Sequence, residues 1–235
     1  MPAGYTHYVF GEQVLDQLDE SIKKRIMPYI DLYHIGIHGP DILFYYDVYK
    51  KNPVKSLGFG MHQLPATDFF KHAKELIRQD ATDATLAYTI GFITHFTLDS
   101  SLHPEIGVLE NTLSMTHSLL ESELDRELLV RVGKDPLTAN LTTHIHPDYT
   151  NAQVIAPFFD LKAEEIDKAL HDLLFILKWL VAPSKLKRSF VLSVMKLGGM
   201  YEEYKGLLIN YEKDEHAAND INRLIEMKDE AVPLA

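Results

Sequence analysis

The chain has 235 residues, 46% hydrophobic and 24% charged, a soluble globular mix that excludes disordered, collagenous and coiled-coil chains. Lys and Arg number 23 against 34 Asp and Glu, and the net charge of −11 repels phosphate backbones, which argues against duplex nucleic acid as a partner. With no cysteine and 12 histidines, thiolate chemistry, disulfides and thiolate-bound zinc are excluded, and any transition metal must be held by imidazole and carboxylate.

The first residues, Met1 to His7, lack a basic start and an apolar run, so they do not read as a secretory signal and the expected location is cytoplasmic. Residues 5–10 and 35–37 are the only short-strand candidates. Val14, Leu15, Leu18 and Ile22 recur at helical spacing, with Pro28 near the end of that helix. Pro65 and Thr67 open a second helix carrying Phe69, Phe70, Ala73, Leu76 and Ile77. A third is expected over about 84–102, stopped by Pro104. A fourth is expected over about 113–131, capped by Gly133. Residues 134–160, with Pro136, Pro147 and Pro157, read as a long irregular connection. Residues 163–182 are strongly amphipathic, and 184–211 continue helical apart from Gly198-Gly199. From Asp214 onward the chain reads as a polar helix or frayed end. The most apolar stretch, 173–182, is broken by Lys178 and is too short to span a bilayer, so no stable membrane insertion is expected. The prediction is an all-α fold, one multi-helix domain over residues 1–235.

On a helix, residues four apart share a face, so His-x-x-x-Asp/Glu can offer two ligands to one ion. Four such pairs occur: His95/Asp99, His117/Glu121, His144/Asp148 and His216/Asp220. About two would arise by chance from this composition, so context must separate them. Pro147 breaks the third pair, and the fourth sits in a polar tail. The first two lie in strongly apolar helices, where buried polar groups need partners. The first pair also extends to His103, giving three ligand-type residues at i, i+4 and i+8. A metal site explains two such helices better than a hydrogen-bonded core network.

Five pieces in order complete the pattern: Thr6-His7, Gly39-Pro40-Asp41, Gly60-Met61-His62, His95-x-x-x-Asp99-x-x-x-His103-Pro104 and His117-x-x-x-Glu121. Over roughly residues 5–130 the chain resembles the zinc-dependent phospholipase C family, whose all-helical fold binds up to three zinc ions. The resemblance implies that Asp41, His62, His95 and Asp99 bind one zinc, with Asp99 bridging to a neighbour. It assigns His103, His117 and Glu121 to a second zinc. His7 falls to a third, alongside Asp99 or Glu121. Secreted members complete the third position with the amino group and carbonyl of a leading tryptophan. The only tryptophan here is Trp179, so water or another group would have to complete it. The resemblance further implies a phosphoesterase, phospholipase C-like, acting on a small phosphoester or phospholipid, with Asp41 as ligand and catalytic proton acceptor. A nucleotide or oligonucleotide phosphohydrolase of the same superfamily, or a metal-binding protein without turnover, are the alternatives.

The remaining signals are weaker. Asp125, one turn after Glu121, is a candidate for orienting a ligating imidazole, or a solvated helix acid. Residues 44–46, Phe-Tyr-Tyr, are expected to line the site. His34 and His38 read as supporting or structural, and His72 and His171 as ordinary helix residues. His171-Asp172 offers the adjacent pair of HD-type phosphohydrolases without the rest of that pattern. Lys178, Trp179, Lys185, Lys187 and Arg188 read first as a solvated helix end, and second as a surface for anionic headgroups.

Overall fold

The computed structural model describes residues 4–235, apart from the side chain of Glu203. Among the described residues every regular element is helical, and no helix is long and apolar enough to cross a membrane. The all-α prediction holds.

Helix α1 spans Gly4–Gln17, so residues 5–10 are not a strand. His7, Phe10 and Val14 are buried at spacings of three and four, the period of one helical face, and a distant carboxylate satisfies the first backbone donors. The predicted first helix ends at Gln17, because Asp19 accepts from Ser21 N at 2.8 Å and starts α2, Glu20–Ile26. Pro28 lies in a 3₁₀ turn before α3, Ile30–Gly36, which takes in the second strand candidate. Gly36 is needed there. A Cβ on it would stand 2.5 Å from Tyr88 O, and one on Gly91 would stand 2.4 Å from Tyr33 O. Two glycines thus let α3 lie directly against α6.

A 3₁₀ turn, Gly39–Tyr45, leads to α4, Pro53–Met61, and then to α5, Thr67–Gln79. Helix α6 runs Ala84–Leu113, about 45 Å, straight through Pro104. The expected stop fails because burial of Leu102, Ile106 and Leu109 on both sides of the proline outweighs one missing hydrogen bond. Helix α7, His117–Arg131, starts later than predicted, at Thr116, whose side chain accepts from Leu119 N. It ends at Gly133 as expected, with φ +72° and Lys134 N bonding back to Leu129 O. Within 134–160 lies α8, Tyr149–Ile155, capped by Asp148 and followed by a 3₁₀ turn, Ala156–Phe159. Then come α9, Ala163–Leu180, α10, Lys185–Leu197, α11, Tyr201–Tyr204, and α12, Ala218–Ala231. The last is no frayed end, since Ile221, Leu224, Ile225 and Lys228 are buried.

Two large apolar clusters organise the chain. One joins α3, the 39–45 turn, the start of α6, α8 and α9. The other joins α1, the rest of α6, α7 and α12. On α6 the change from one to the other falls between Phe92 and Leu98, where His95 lies, and Asp99 and His103 follow at four-residue steps on the same face. The seam between the clusters is where polar side chains can gather without breaking either core. A third, smaller cluster joins the end of α9 to α10 and α11.

Candidate metal centre

Asp99 stands in the middle of the seam. Its Oδ1 is 3.2 Å from His7 Nε2 and 3.5 Å from His103 Nε2. Its Oδ2 is 3.3 Å from His95 Nε2 and 3.7 Å from His62 Nε2. Asp41 Oδ1 lies 2.9 Å from His62 Nε2. Glu121 Oε1 lies 3.3 Å from His117 Nε2 and 3.7 Å from His103 Nε2. Three groups therefore offer converging ligand atoms: His7, His95 and Asp99; Asp41, His62 and His95; and His103, His117 and Glu121. All eight expected residues come together, from α1, the 39–45 turn, the end of α4, α6 and α7.

The electrostatics favour charged carboxylates. Burial opposes ionisation of Glu121, but His103 and His117 outweigh it and draw the carboxyl down to about 2. Burial likewise opposes charge on Asp99, and the rings of His95, His7 and His103 overcome it, holding the carboxyl well below its ordinary range. Asp41 is lowered against burial by His95 and His62. Among the rings, burial pushes His95 down to about 4, whereas Asp41 lifts His62 against burial to about 9. Three anionic groups thus sit among five imidazoles.

These residues fit zinc. Asp41 Oδ1, Glu121 Oε2, His7 Nδ1 and His95 Nδ1 are buried without a hydrogen bond, even though His62 Nε2 is close to the first of them. Buried polar atoms normally have partners, and unfilled ones mark an ion or water. Five nitrogens and three carboxylates, with no sulfur, are the donor set of catalytic rather than structural zinc.

Local structure explains how the ligands are aimed. Gly39 has φ +51°, and a Cβ there would lie 2.2 Å from His95 Cδ2. Its bare backbone lets the 39–45 turn rest on the His95 ring and carry Asp41 inward. Glu110, which the sequence reading missed, braces His117 twice: Oε1 accepts from the backbone N at 3.0 Å, and Oε2 lies 3.5 Å from Nδ1. It sits seven residues past His103 on the stretch of α6 that Pro104 was expected to end.

Asp125 does not touch a ligating ring. It is 1% exposed and accepts from Tyr5 N at 3.2 Å, Thr6 N at 2.7 Å and Thr6 Oγ1 at 2.6 Å. It caps the helix that presents His7, through a contact about 120 positions away in sequence. Asp125→Ala leaves three donors without an acceptor and is expected to cost about 3 kcal/mol, read as a lower denaturation midpoint, together with weaker metal retention.

His38 and His144 form a separate buried pair, with their Nε2 atoms 2.7 Å apart and Tyr8 stacked on His144 at 4.2 Å. His34 pairs with Glu12 at 2.9 Å, so the structural reading of His34 and His38 stands. Burial pushes His144 down to about 3. Because the folded state disfavours its proton, this ring contributes stability above pH 6.5 that is lost as pH falls toward 3. Thermal melts of His144→Gln should show a shallower loss on acidification, by up to about 1.4 kcal/mol per pH unit in that window.

Beside His62, His95, Asp99 and His103 opens a cleft of about 810 Å³. Leu57, Met61, Phe69, Phe92, Phe96, Phe158 and Phe159 wall it, and His72 stands at its edge with Nε2 2.8 Å from Pro157 O. Of residues 44–46, expected to line the site, Phe44 reaches it with its ring 5.3 Å from that of His62, but Phe44 and Tyr45 are buried and do not wall the cleft. The phenylalanines of α5, α6 and the 156–159 turn take that place. Their apolar character was visible in the sequence, their convergence was not.

Among curated proteins and among solved structures, none matches this chain. The family model described as zinc-dependent phospholipase C matches residues 6–173, reaching well beyond the 5–130 expected and into α9. The matched span takes in all eight convergent side chains and well over half of the sequence, and the chain belongs to the zinc-dependent phospholipase C family.

Proposed function

We propose that the chain is a phosphoesterase that hydrolyses phosphodiester bonds, with phospholipids as the substrate class, at a di- or trinuclear zinc site. In this reading Asp41, His62, His95, Asp99, His103, His117 and Glu121 hold the ions, and His7 contributes to a third position. The observation that carries it is the convergence of three low-pKa carboxylates and five imidazoles in one cluster, four of whose members, His62, His95, Asp99 and His103, line an apolar cleft. Bound zinc supplies a water acidified toward neutrality and positive charge for the phosphoryl oxygens.

The chain's own residues supply the rest. The aromatic cleft wall receives the apolar part of the substrate and excludes water beside the reacting phosphate. Asp41 is fixed by the 39–45 turn and by His62, and its carboxylate, charged at neutral pH, accepts the proton released at the site. Asp99 spans the ligand groups, so the seam acts as one unit rather than as separate pockets.

The test is metal analysis of the purified protein after zinc reconstitution, followed by assays on p-nitrophenyl phosphorylcholine, bis-p-nitrophenyl phosphate and nucleotides. Two or more equivalents of zinc, with diester hydrolysis abolished by chelation and restored by zinc, is the expected result. Less than one equivalent sinks the ligand assignment. A full complement without turnover on any ester would make the protein a metal binder, and activity confined to nucleotides would replace the lipid with a nucleotide.

A further inference from the structure

Among the described residues, one face of α10 is largely uncovered. Leu186, Phe190, Val194 and Leu197 follow one another at spacings of four, four and three, a single helical stripe, and all four are exposed, Leu186 at 84% and Leu197 at 90%. The opposite face is already in use. Val191 and Met195 are buried with Leu180, Ala182, Tyr204 and Leu208, so the orientation of the helix is set. Helix α9 extends the stripe with exposed Phe175 and Trp179, the Trp179 ring lying 6.3 Å from Phe175 and 6.0 Å from Phe190. Scattered exposed apolar residues are ordinary, but six large ones aligned across two neighbouring helices mark a contact surface.

Charge identifies what it contacts. From residue 173 to residue 201 there is no Asp or Glu, while Lys178, Lys185, Lys187, Arg188 and Lys196 supply five positive charges in a chain of net charge −11. Lys187 holds the backbone carbonyl of Val181, which fixes it beside the stripe, whereas Arg188 is turned toward the packed side of the helix and holds the carbonyls of Leu208 and Ile209. Lys187 also lies over the Trp179 ring at 5.6 Å. A two-fold contact with a second copy would set these cations against their own images. A negatively charged lipid surface meets both features at once, since the apolar stripe enters the acyl boundary, the lysines face anionic headgroups and tryptophan favours the interface between them. The surface lies wholly beyond residue 173, where the family match ends.

We propose that the α9–α10 face is a peripheral docking surface for anionic bilayers, with Phe175, Trp179, Leu186, Phe190 and Leu197 entering the interface. The docking does not depend on the hydrolytic reading, and its readout is association rather than turnover.

Trp179 is the only tryptophan, so its fluorescence reports on the surface directly. The zinc-reconstituted full chain is mixed with vesicles of phosphatidylcholine containing about one third phosphatidylserine, and with pure phosphatidylcholine. The expected result is a blue shift of Trp179, quenching by brominated acyl chains and co-sedimentation with the anionic vesicles, all weakened by salt. Phe190→Ser and Leu197→Ser are each expected to weaken partitioning about tenfold, and Lys185→Glu at least fivefold, while hydrolysis of a soluble diester is unchanged. Three results would overturn the proposal: no Trp179 shift with anionic vesicles, binding that all three variants leave intact, or a concentration-dependent blue shift without lipid accompanied by a doubled mass. A protein that binds vesicles yet hydrolyses no ester would remove the proposed activity and leave the docking surface standing.

Discussion

Asp99→Ala is expected to lower the zinc content by at least one equivalent and to slow diester hydrolysis about a thousandfold at saturating metal. The size follows from the position of the carboxylate, which lies within 3.7 Å of four ring nitrogens on α1, α6 and the residue after α4. Metal assistance to phosphoryl transfer supplies several kcal/mol, and each 1.36 kcal/mol is worth about tenfold in rate. Circular dichroism checks that the helices persist, and metal analysis with initial rates gives the two numbers. Wild-type zinc content together with a wild-type rate would contradict the central role given to Asp99. His95→Ala should behave similarly and lose more stability, because it opens a cavity under the 39–45 turn.

Gly39→Ala carries the second large effect, and it touches no ligand by chemistry. The added carbon would stand 2.2 Å from His95 Cδ2, and positive φ disfavours any L side chain. Relief requires the turn to move away from α6, and Asp41, two residues on, moves with it. A loss of about 2–5 kcal/mol in unfolding free energy is expected, with a loss of metal affinity that excess zinc partly restores. Chemical denaturation in the presence and absence of zinc measures both. Gly60→Ala is the control, since nothing lies within 4 Å of a Cβ there.

How much of this was legible beforehand differs residue by residue. His95, Asp99 and His103 were readable because a helix repeats every three to four residues, so spacing alone put them on one face. Asp41 and His62 lie in or beside turns, where spacing carries no such information, and only the family resemblance pointed to them. His7 came the same way, and its helix was misread as a strand, because aromatic and β-branched residues dominate positions 5–10 while the stabilising cap sits on α7. Glu110 was hidden by Pro104, a strong local stop that long-range packing overrides. Asp125 and the cleft phenylalanines depend on contacts between distant segments. Local pattern therefore revealed the ligand types and most of the helices, and tertiary packing decided which side chains brace them.

The way α1 is held has a consequence for the order in which the molecule is built. Its N-terminus is capped from α7, and its far end is tied to α12, where buried Lys228 donates to Gln13 Oε1 at 2.6 Å and Asp229 accepts from Gln13 Nε2 at 3.0 Å. A ribosome delivers His7 before any of the other seven converging residues, yet the partners that fix its helix emerge more than a hundred and more than two hundred residues later. On a nascent chain made at about 5–20 residues per second, α1 therefore waits many seconds for its anchors. The earliest ligand to be synthesised is among the last to reach its place, and zinc arriving before α12 meets a site with that corner still open.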